Sequence, residues 1–336
     1  MGALEAALQR AWLSRGALAC ALWPLSLLAR GWLALRPMRA PQPLPVPVLV
    51  VGNLVAGGAG KTPTVIAVVA LLSRHGFTPG VVSRGHRRDG AAVQGVAPDT
   101  PAAQCGDEPL LLRIRCGVPV VVGRDRVAAA RELLRLYPAV DIIVSDDGLQ
   151  HRRLPRRAAV IVFDERGAGN GWLLPAGPLR EPMTARPPPR SVVLYNAAQP
   201  TTAWPGHLAQ RRLAGAVALR DWWAGAAATP PALAALAERP LLAVAGVARP
   251  QRFFTMLRAA GLAITECALP DHFDYAELPW PGGTADVVLT EKDAVKLDPA
   301  RVGSTRVWVT PLDFATSAAF DAELLALLAP PAAFAR

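Results

Sequence analysis

Short apolar runs alternate with longer stretches of helical character over most of the chain. The strands predicted from these runs are 46–51, 78–83, 118–122, 142–145 and 159–163, and the helices between them are 62–76, a stretch from about 107, and 126–137. Continuous β-branched runs separated by helices are typical of a parallel sheet covered on both faces. The alternation resumes with predicted strands at 191–195, 241–245 and 287–289. We therefore expect an α/β fold with a second, smaller α/β unit.

The positions of the prolines indicate where these units begin and end. Prolines at 41, 43, 45 and 47 end the N-terminal helix, and the run Arg186-Pro-Pro-Pro-Arg190 precedes the renewed alternation. We place the N-terminal helix in residues 1–40, the first α/β domain in 41–186 and the second in 187–336.

The first forty residues combine tryptophans and arginines around the uncharged stretch 16–29. Fourteen residues are too few to span a bilayer, which takes roughly 20. A helix with tryptophans on an apolar stretch and arginines at its ends fits the headgroup plane of an anionic membrane, and we expect an interfacial helix kinked at Pro24. A helix packed on its own protein and a secretory signal remain open alternatives.

Composition limits the classes of partner. The chain has 336 residues, a net charge of +10 and four cysteines without zinc-site spacing or the density of a disulfide scaffold, which indicates a reducing compartment. Its arginines are scattered, without a nucleic-acid-binding signature, so we expect no nucleic acid and see no obligate protein partner. The net positive charge fits binding of an anionic lipid or a phosphorylated substrate.

The chain's strongest motif follows the first predicted strand. It ends in Gly60-Lys61-Thr62 and supplies the candidate nucleotide-binding residues Gly57, Gly58, Ala59, Gly60, Lys61 and Thr62. A strand, a glycine loop and a helix N-terminus expose N–H groups to phosphate, a lysine here reaches the β- and γ-phosphates, and the threonine binds Mg²⁺. The strict phosphate-loop spacing requires glycine where Val55 stands, so the loop is a variant form. An ordinary glycine turn is the alternative.

Acidic pairs stand where a nucleotide site needs them. Asp146 and Asp147 end the predicted strand 142–145, and a carboxylate there can bind the magnesium of a nucleotide. Asp107 and Glu108 begin a predicted helix, where a capping role is the plain explanation. Asp271 and His272 would alone pass for a turn.

Taken together, the strings GGAGKTP, SRGHRR, GDEP, SDDGLQH, LLPAGPLRE, PDHFDY and TEKDAVK, in this order, resemble the tetraacyldisaccharide 4'-kinase (lipid A kinase) family. The resemblance implies a P-loop phosphotransferase whose second domain closes over a cleft. It also implies ATP and Mg²⁺ as cofactors, an acylated disaccharide 1-phosphate lipid as acceptor, and a peripheral or monotopic place on the cytoplasmic face of the bacterial inner membrane.

The resemblance also assigns site residues. It implies catalytic roles for Lys61, Asp107 and His272, metal binding by Thr62, Asp146 and Asp147, and contacts with substrate or phosphate by Arg84, Glu108, His151 and Arg180. Asp107 would take the proton of the sugar hydroxyl with His272 as its partner. One position departs from the family, because His86 stands where tyrosine is frequent.

Two other functions share some of these features. A peripheral membrane P-loop ATPase or GTPase of the partition or metal-insertion kind would use the same glycine loop but leaves Asp107 and His272 unexplained. An exported, non-enzymatic binding protein would be recognised by a processed N-terminus.

Overall fold

The computed structural model describes residues 3–35, 40–86 and 88–329. The helices are α1 (Ala3–Ala11), α2 (Ala17–Leu35), α3 (Lys61–Arg74), α4 (Ala102–Cys105), α5 (Asp107–Cys116), α6 (Arg126–Leu136), α7 (Leu219–Trp223), α8 (Pro230–Ala234), α9 (Pro250–Ala259), α10 (Glu291–Ala294) and α11 (Ala318–Leu328). The strands are β1 (Val48–Gly52), β2 (Pro79–Ser83), β3 (Gln94–Gly95), β4 (Val120–Val122), β5 (Ile142–Asp146), β6 (Ala158–Asp164), β7 (Ser191–Asn196), β8 (His207–Leu208), β9 (Gln210–Leu213), β10 (Val217–Ala218), β11 (Leu241–Ala245), β12 (Ile264–Ala268), β13 (Asp286–Leu289), β14 (Arg306–Val309) and β15 (Leu312–Ala315).

The larger sheet has the strand order β3-β4-β2-β5-β1-β6-β7-β8 and is parallel except for the edge strand β3. Its central strands are buried along their whole length, because helices cover both faces. Leu72 and Leu112 belong to the core on the side of α3 and α5, and Leu133 belongs to the core under α6. The expected parallel α/β architecture is present.

Strand β7 differs from the expectation. It was predicted to begin the second unit, but it pairs in parallel with β6 in the larger sheet, and β8 continues that edge. Helix α11 returns from near the C-terminus to pack on β6 and β7, with Phe320 and Leu324 fully buried. Periodicity identifies elements and not their partners, which is why the prediction was wrong for β7. The domain boundaries stay predictions.

The smaller sheet has the order β10-β14-β13-β11-β12, parallel except for β10. Helix α9 packs against β11 and β12, and a separate antiparallel pair, β9 with β15, lies against α3. The carboxyl ends of β1 and β5 lead directly into the glycine loop and the Asp146-Asp147 pair, whereas β13 leads into α10.

The N-terminal segment forms two helices instead of one. Helix α2 is 19 residues long, contains Pro24, and is long and apolar enough to cross a membrane, a test that signal sequences also pass. Its buried residues are Ala19 and Ser26, and the Ser26 hydroxyl donates to the carbonyl of Leu173. Large apolar side chains such as Leu28 and Trp32 are exposed. An interfacial position for α2 stays a prediction.

Candidate active site

The glycine loop connects β1 to α3 in the expected strand, loop and helix arrangement. Gly60 immediately precedes the helix with φ 90°, and a side chain there would place Cβ 2.0 Å from Nδ2 of Asn196. Gly57 also has a positive φ, of 91°. Lys61 and Thr62 are therefore the first two residues of α3, where the helix dipole favours an anion.

Side-chain donors hold the carbonyl groups of this loop. Their bonds run from Asn53 to Val55 (2.8 Å) and Gly57 (3.2 Å), from Arg166 to Ala56 (3.1 Å) and Gly58 (3.0 Å), from Asn196 to Ala59 (3.1 Å), and from Thr64 to Gly60 (2.9 Å). Because each carbonyl from residue 55 to 60 already has a donor, none has to face an approaching phosphate. The loop can then present N–H groups to it.

Lys61 reaches from the loop toward the second acidic residue of β5. Its Nζ lies 3.2 Å from Oδ1 of Asn53 and 3.6 Å from Oδ1 of Asp147. Arg180 donates to the same Asp147 oxygen at 2.9 Å. Burial alone would raise the pKa of Asp147, but the charges of Lys61 and Arg180 lower it. In this structure Arg180 thus contacts a carboxylate, and its predicted contact with phosphate remains a prediction.

Asp146 is the carboxylate best suited to bind a cation. It is 3% exposed; its Oδ2 accepts from the Ser83 hydroxyl at 2.9 Å, and its Oδ1 is buried without a hydrogen-bond partner in the described part of the chain. Burial and the nearby charges of Glu108 and Asp147 raise its pKa to about 6. Such an oxygen fits a magnesium ligand, because a cation would supply the missing partner.

Protein side chains alone would not complete that site. Within residues 3–35, 40–86 and 88–329, no three His, Cys, Asp or Glu side chains group closely enough to hold a metal. This agrees with magnesium sites that use one or two carboxylates and take the remaining oxygens from phosphate and water.

Asp107 and His272 meet at the junction of the two sheets. Asp107 begins α5 and is 6% exposed, and its Oδ2 lies 2.7 Å from Nδ1 of His272, 165 residues away. Burial would raise the pKa of Asp107, but the His272 hydrogen bond and the Lys292 charge lower it to about 2. The pair predicted from the resemblance is assembled in this structure. The ring of His86 lies edge-on to His272, with centroids 5.6 Å apart.

Glu108, the next residue, contacts a lysine in this structure, and its predicted contact with substrate or phosphate stays a prediction. Its Oε1 lies 2.9 Å from Nζ of Lys292, which comes from α10 of the smaller sheet, and Lys292 is also 3.7 Å from Oδ1 of Asp271. Asp271 in turn lies 3.7 Å from Nε2 of His272. Lys292 therefore lies between Glu108, on the side of the larger sheet, and Asp271, on the side of the smaller sheet, and sequence reasoning missed it.

His151 and Arg84 were also predicted at the site. Nε2 of His151 accepts from the backbone N–H of Arg126 at 3.4 Å and lies 4.0 Å from Asp125, so its contacts are with the start of α6. Burial and the charge of Arg126 lower the pKa of His151. Arg84 is exposed beyond the end of β2. The binding roles of both residues stay predictions.

Two cavities flank the Asp107-Glu108 pair. One, of about 390 Å³, lies between the glycine loop and the smaller sheet, and Lys61, Glu108 and Lys292 are on its walls. The other, of about 980 Å³, is lined in part by Asp107 and His272. Adjacent residues of α5 thus face two cavities, Glu108 the one lined by the glycine loop and Asp107 the larger one.

Arg166 is a second residue that motif reasoning missed. Its Nε lies 3.1 Å from both carboxylate oxygens of Asp164, which is fully buried at the end of β6. Arg249, which directly precedes α9 on the smaller sheet, lies 3.6 Å from the same carboxylate. The available signal was the acidic residue after a predicted buried strand, the feature that identified Asp146.

Comparison with known proteins gives a consistent result. A family model described as Tetraacyldisaccharide-1-P 4'-kinase matches residues 18–329. The chain is similar to the tetraacyldisaccharide 4'-kinases of Methylibium petroleiphilum (58% identity, covering 97% of this chain and 94% of that one) and Leptothrix cholodnii (55%, covering 97% and 96%).

The fold is similar to a crystal structure of LpxK from Aquifex aeolicus, an "apo" form in complex with ATP. The TM-score is 0.76 at 24% identity, with 93% of this chain and 100% of that chain covered. These matches confirm the family resemblance and the P-loop-like fold, and they do not favour the partition or metal-insertion ATPase alternative. The chain belongs to the tetraacyldisaccharide-1-P 4'-kinase family.

Proposed function

We propose that this chain transfers the γ-phosphate of ATP to the 4'-hydroxyl of a tetraacylated disaccharide 1-phosphate, with Asp107 and His272 acting on the hydroxyl. The observation that supports these roles is the 2.7 Å contact between Asp107 and His272. The residue after Asp107, Glu108, lines the same cavity as the glycine loop. This arrangement brings a candidate base to the edge of a phosphate-binding cavity. The acceptor hydroxyl would enter from the larger cavity, whose wall includes Asp107 and His272.

Asp107 would receive the hydroxyl proton late in the transfer. Its pKa of about 2 makes it a weak base for a sugar alcohol, yet keeps it ionised at every physiological pH. Phosphoryl transfer proceeds through a loose transition state in which the hydroxyl becomes acidic as the new bond forms, so a strong base is not needed. Nδ1 of His272 donates to the carboxylate and holds it in place.

Other groups would neutralise the negative charge of the transferred phosphoryl group. The amide groups of the glycine loop and Lys61 would bind the β- and γ-phosphates, and Arg180 would exchange Asp147 for phosphate. Thr62, Asp146 and Asp147 would hold Mg²⁺ with the nucleotide. When bound, the ion would neutralise negative charge on the β- and γ-phosphates.

The acceptor requires work at a membrane surface. Each buried CH₂ of an acyl chain contributes about 0.8 kcal/mol to membrane partitioning, so four chains keep the lipid in the bilayer. The exposed apolar side chains of α2, including Leu28 and Trp32, are suited to the same surface. We place the protein on the cytoplasmic face of the inner membrane, where ATP is available.

A direct assay tests this function. Purified protein is incubated in mixed micelles with γ-labelled ATP, Mg²⁺ and a tetraacyl disaccharide 1-phosphate, and we expect a labelled bisphosphorylated lipid. Asp99→Asn, a carboxylate on the wall of the larger cavity, should keep activity, whereas Asp107→Asn should lose it. If protein that binds ATP forms no labelled lipid, the proposed function is wrong.

A further inference from the structure

Lysine is rare in this chain, and two of its three lysines border one cavity. Lysine and arginine together number 36, but the lysines are Lys61, Lys292 and Lys296. Lys61 and Lys292 both line the cavity between the glycine loop and the smaller sheet. The chain carries nearly all its positive charge on arginine, yet two compact ammonium groups, those of Lys61 and Lys292, lie on the wall of this cavity.

The two lysines occupy corresponding places on the two sheets. Lys61 is the first residue of α3, which follows β1, and Lys292 is the second residue of α10, which follows β13. Both β1 and β13 are interior parallel strands, so each lysine stands at the carboxyl edge of its sheet. Ligands of parallel α/β sheets bind at that edge.

Glu108 interacts electrostatically with both ammonium groups. Its carboxylate is 2.9 Å from Lys292, and the charges of Lys292 and Lys61 both oppose the effect of burial on its pKa, which is lowered. Burial alone would lower the pKa of Lys292, but the surrounding carboxylates, led by Glu108, raise it far above its usual range. Lys292 is therefore a cation at the wall of the phosphate-binding cavity.

An ion pair with Glu108 does not use the whole capacity of Lys292. An ammonium group has three N–H donors. Within the described part of the chain, Glu108 is the carboxylate in hydrogen-bonding distance of Lys292, since Asp271 at 3.7 Å is too far. Lys292 can keep Glu108 and still donate to a phosphate oxygen that enters the cavity.

We propose that Lys292 is a catalytic residue supplied by the smaller sheet, and that its ammonium group contacts the γ-phosphate from the side opposite Lys61. The proposal rests on the proposed kinase function. In that reaction the 4'-oxygen bonds to the γ-phosphorus, the bond from that phosphorus to the β-γ bridging oxygen breaks, and the hydroxyl proton passes to Asp107. ADP leaves with the electron pair of the broken bond. Lys292 stays protonated and stabilises charge on the transferred group.

The test compares ATP with ADP. If Lys292 contacts the γ-phosphate, Lys292→Met should weaken ATP binding by about tenfold or more and change ADP binding by less than about twofold. Equilibrium binding is measured on the full-length protein with Mg²⁺ and without acceptor. Turnover on lipid should fall by about 10²- to 10³-fold, the usual loss for one donor to a developing charge. Lys292→Arg should recover part of the ATP preference.

Lys296→Met is the matched control. Lys296 follows α10 but pairs with Asp293 at 3.4 Å and lines the other cavity, so the ratio of ATP to ADP affinity should not change. If Lys292→Met folds poorly, Glu108→Gln/Lys292→Met removes the unpaired carboxylate and should restore folding without restoring the ATP preference.

Three results would overturn the proposal. They are equal losses of ATP and ADP affinity, wild-type turnover in Lys292→Met, and recovery of ATP preference in the double variant. Failure of the kinase function is distinguishable, because the wild-type protein would then bind ATP and leave the lipid unlabelled.

Discussion

Replacing Arg166 by methionine removes a guanidinium that donates to carbonyl groups of the glycine loop. The N–H groups of the loop are left unchanged. The change deletes the bonds to the carbonyls of Ala56 and Gly58 and leaves Asp164 fully buried, with Arg249 at 3.6 Å as its nearest remaining cation in the described structure. Breaking a buried ion pair from one side costs about 3–5 kcal/mol. Since Arg166 retains 15% side-chain exposure, we expect about 3 kcal/mol.

The assay is a double-mutant cycle. Urea unfolding of Arg166→Met, Asp164→Asn and the combined variant should show a coupling energy of about 1–3 kcal/mol, because the second change removes the unpaired buried charge. ATP affinity should behave differently. It should fall about tenfold in Arg166→Met, a loss of about 1.4 kcal/mol, and stay low in the double variant, since no donor returns to the loop carbonyls. Arg166→Lys should also bind weakly, because one ammonium cannot replace the fork of a guanidinium.

Arg212→Met is the control for this cycle. Arg212 pairs with Asp313 at 2.6 Å but is 77% exposed, and such surface pairs contribute about 0–1 kcal/mol. If Arg166→Met unfolds within about 0.5 kcal/mol of wild type, the buried pair contributes little. If the double variant regains ATP affinity, Arg166 acts only by neutralising Asp164, and its bonds to the loop carbonyls do not contribute to ATP binding.

Four further predictions concern the site and the membrane. Asp107→Asn should lower kcat by about 10²- to 10⁴-fold with ATP affinity nearly unchanged, measured by labelled transfer and equilibrium binding; unchanged turnover would remove Asp107 from the mechanism. Because its folded pKa of about 2 lies below the ordinary 3.8, ionised Asp107 stabilises the fold above pH 3.8, and this contribution disappears as pH falls toward 2. Urea unfolding should therefore show a smaller loss between pH 4 and pH 2 in Asp107→Asn than in wild type. Lys61→Met should abolish turnover with little change in melting temperature, and loss of the fold would contradict this. A variant lacking residues 1–40 should bind vesicles less well, and its lipid phosphorylation should fall more than its ATP hydrolysis. Equal losses of the two activities would show that these residues do not act at the membrane.

The sequence predicted the central strands well because fully buried parallel strands have an unmistakable pattern. The run 142–145 matches β5 (Ile142–Asp146), and 241–245 matches β11 (Leu241–Ala245). Sheet membership was harder to predict. The pattern of Ser191–Asn196 is the same whether the strand pairs with β6 or begins a new sheet, and only tertiary contacts, such as those of α11, decide between the two.

The candidate site divides in the same way. The glycine loop was predictable because its neighbours in space are also neighbours in sequence. The Asp107-His272 pair lies 165 residues apart in sequence and was reached only through the family resemblance, since each residue alone fits a cap or a turn. The scarcity of lysine was a signal for Lys292, because lysine stands at only three positions of the sequence, 61, 292 and 296.

Residues 164–180 show why an irregular segment escapes prediction although it organises its surroundings. Arg166 donates to carbonyls of the glycine loop, whereas Asn170 donates to the carbonyls of Ala11, the last residue of α1, and Ser14, which lies between α1 and α2. One segment without hydrophobic periodicity thus contacts both the glycine loop and the N-terminal helical region. Periodicity reports which face of a regular element is buried, and hydrogen bonds from an irregular segment to distant backbone carbonyls leave no periodic pattern in the sequence. Its role is visible only once those carbonyls have positions in space.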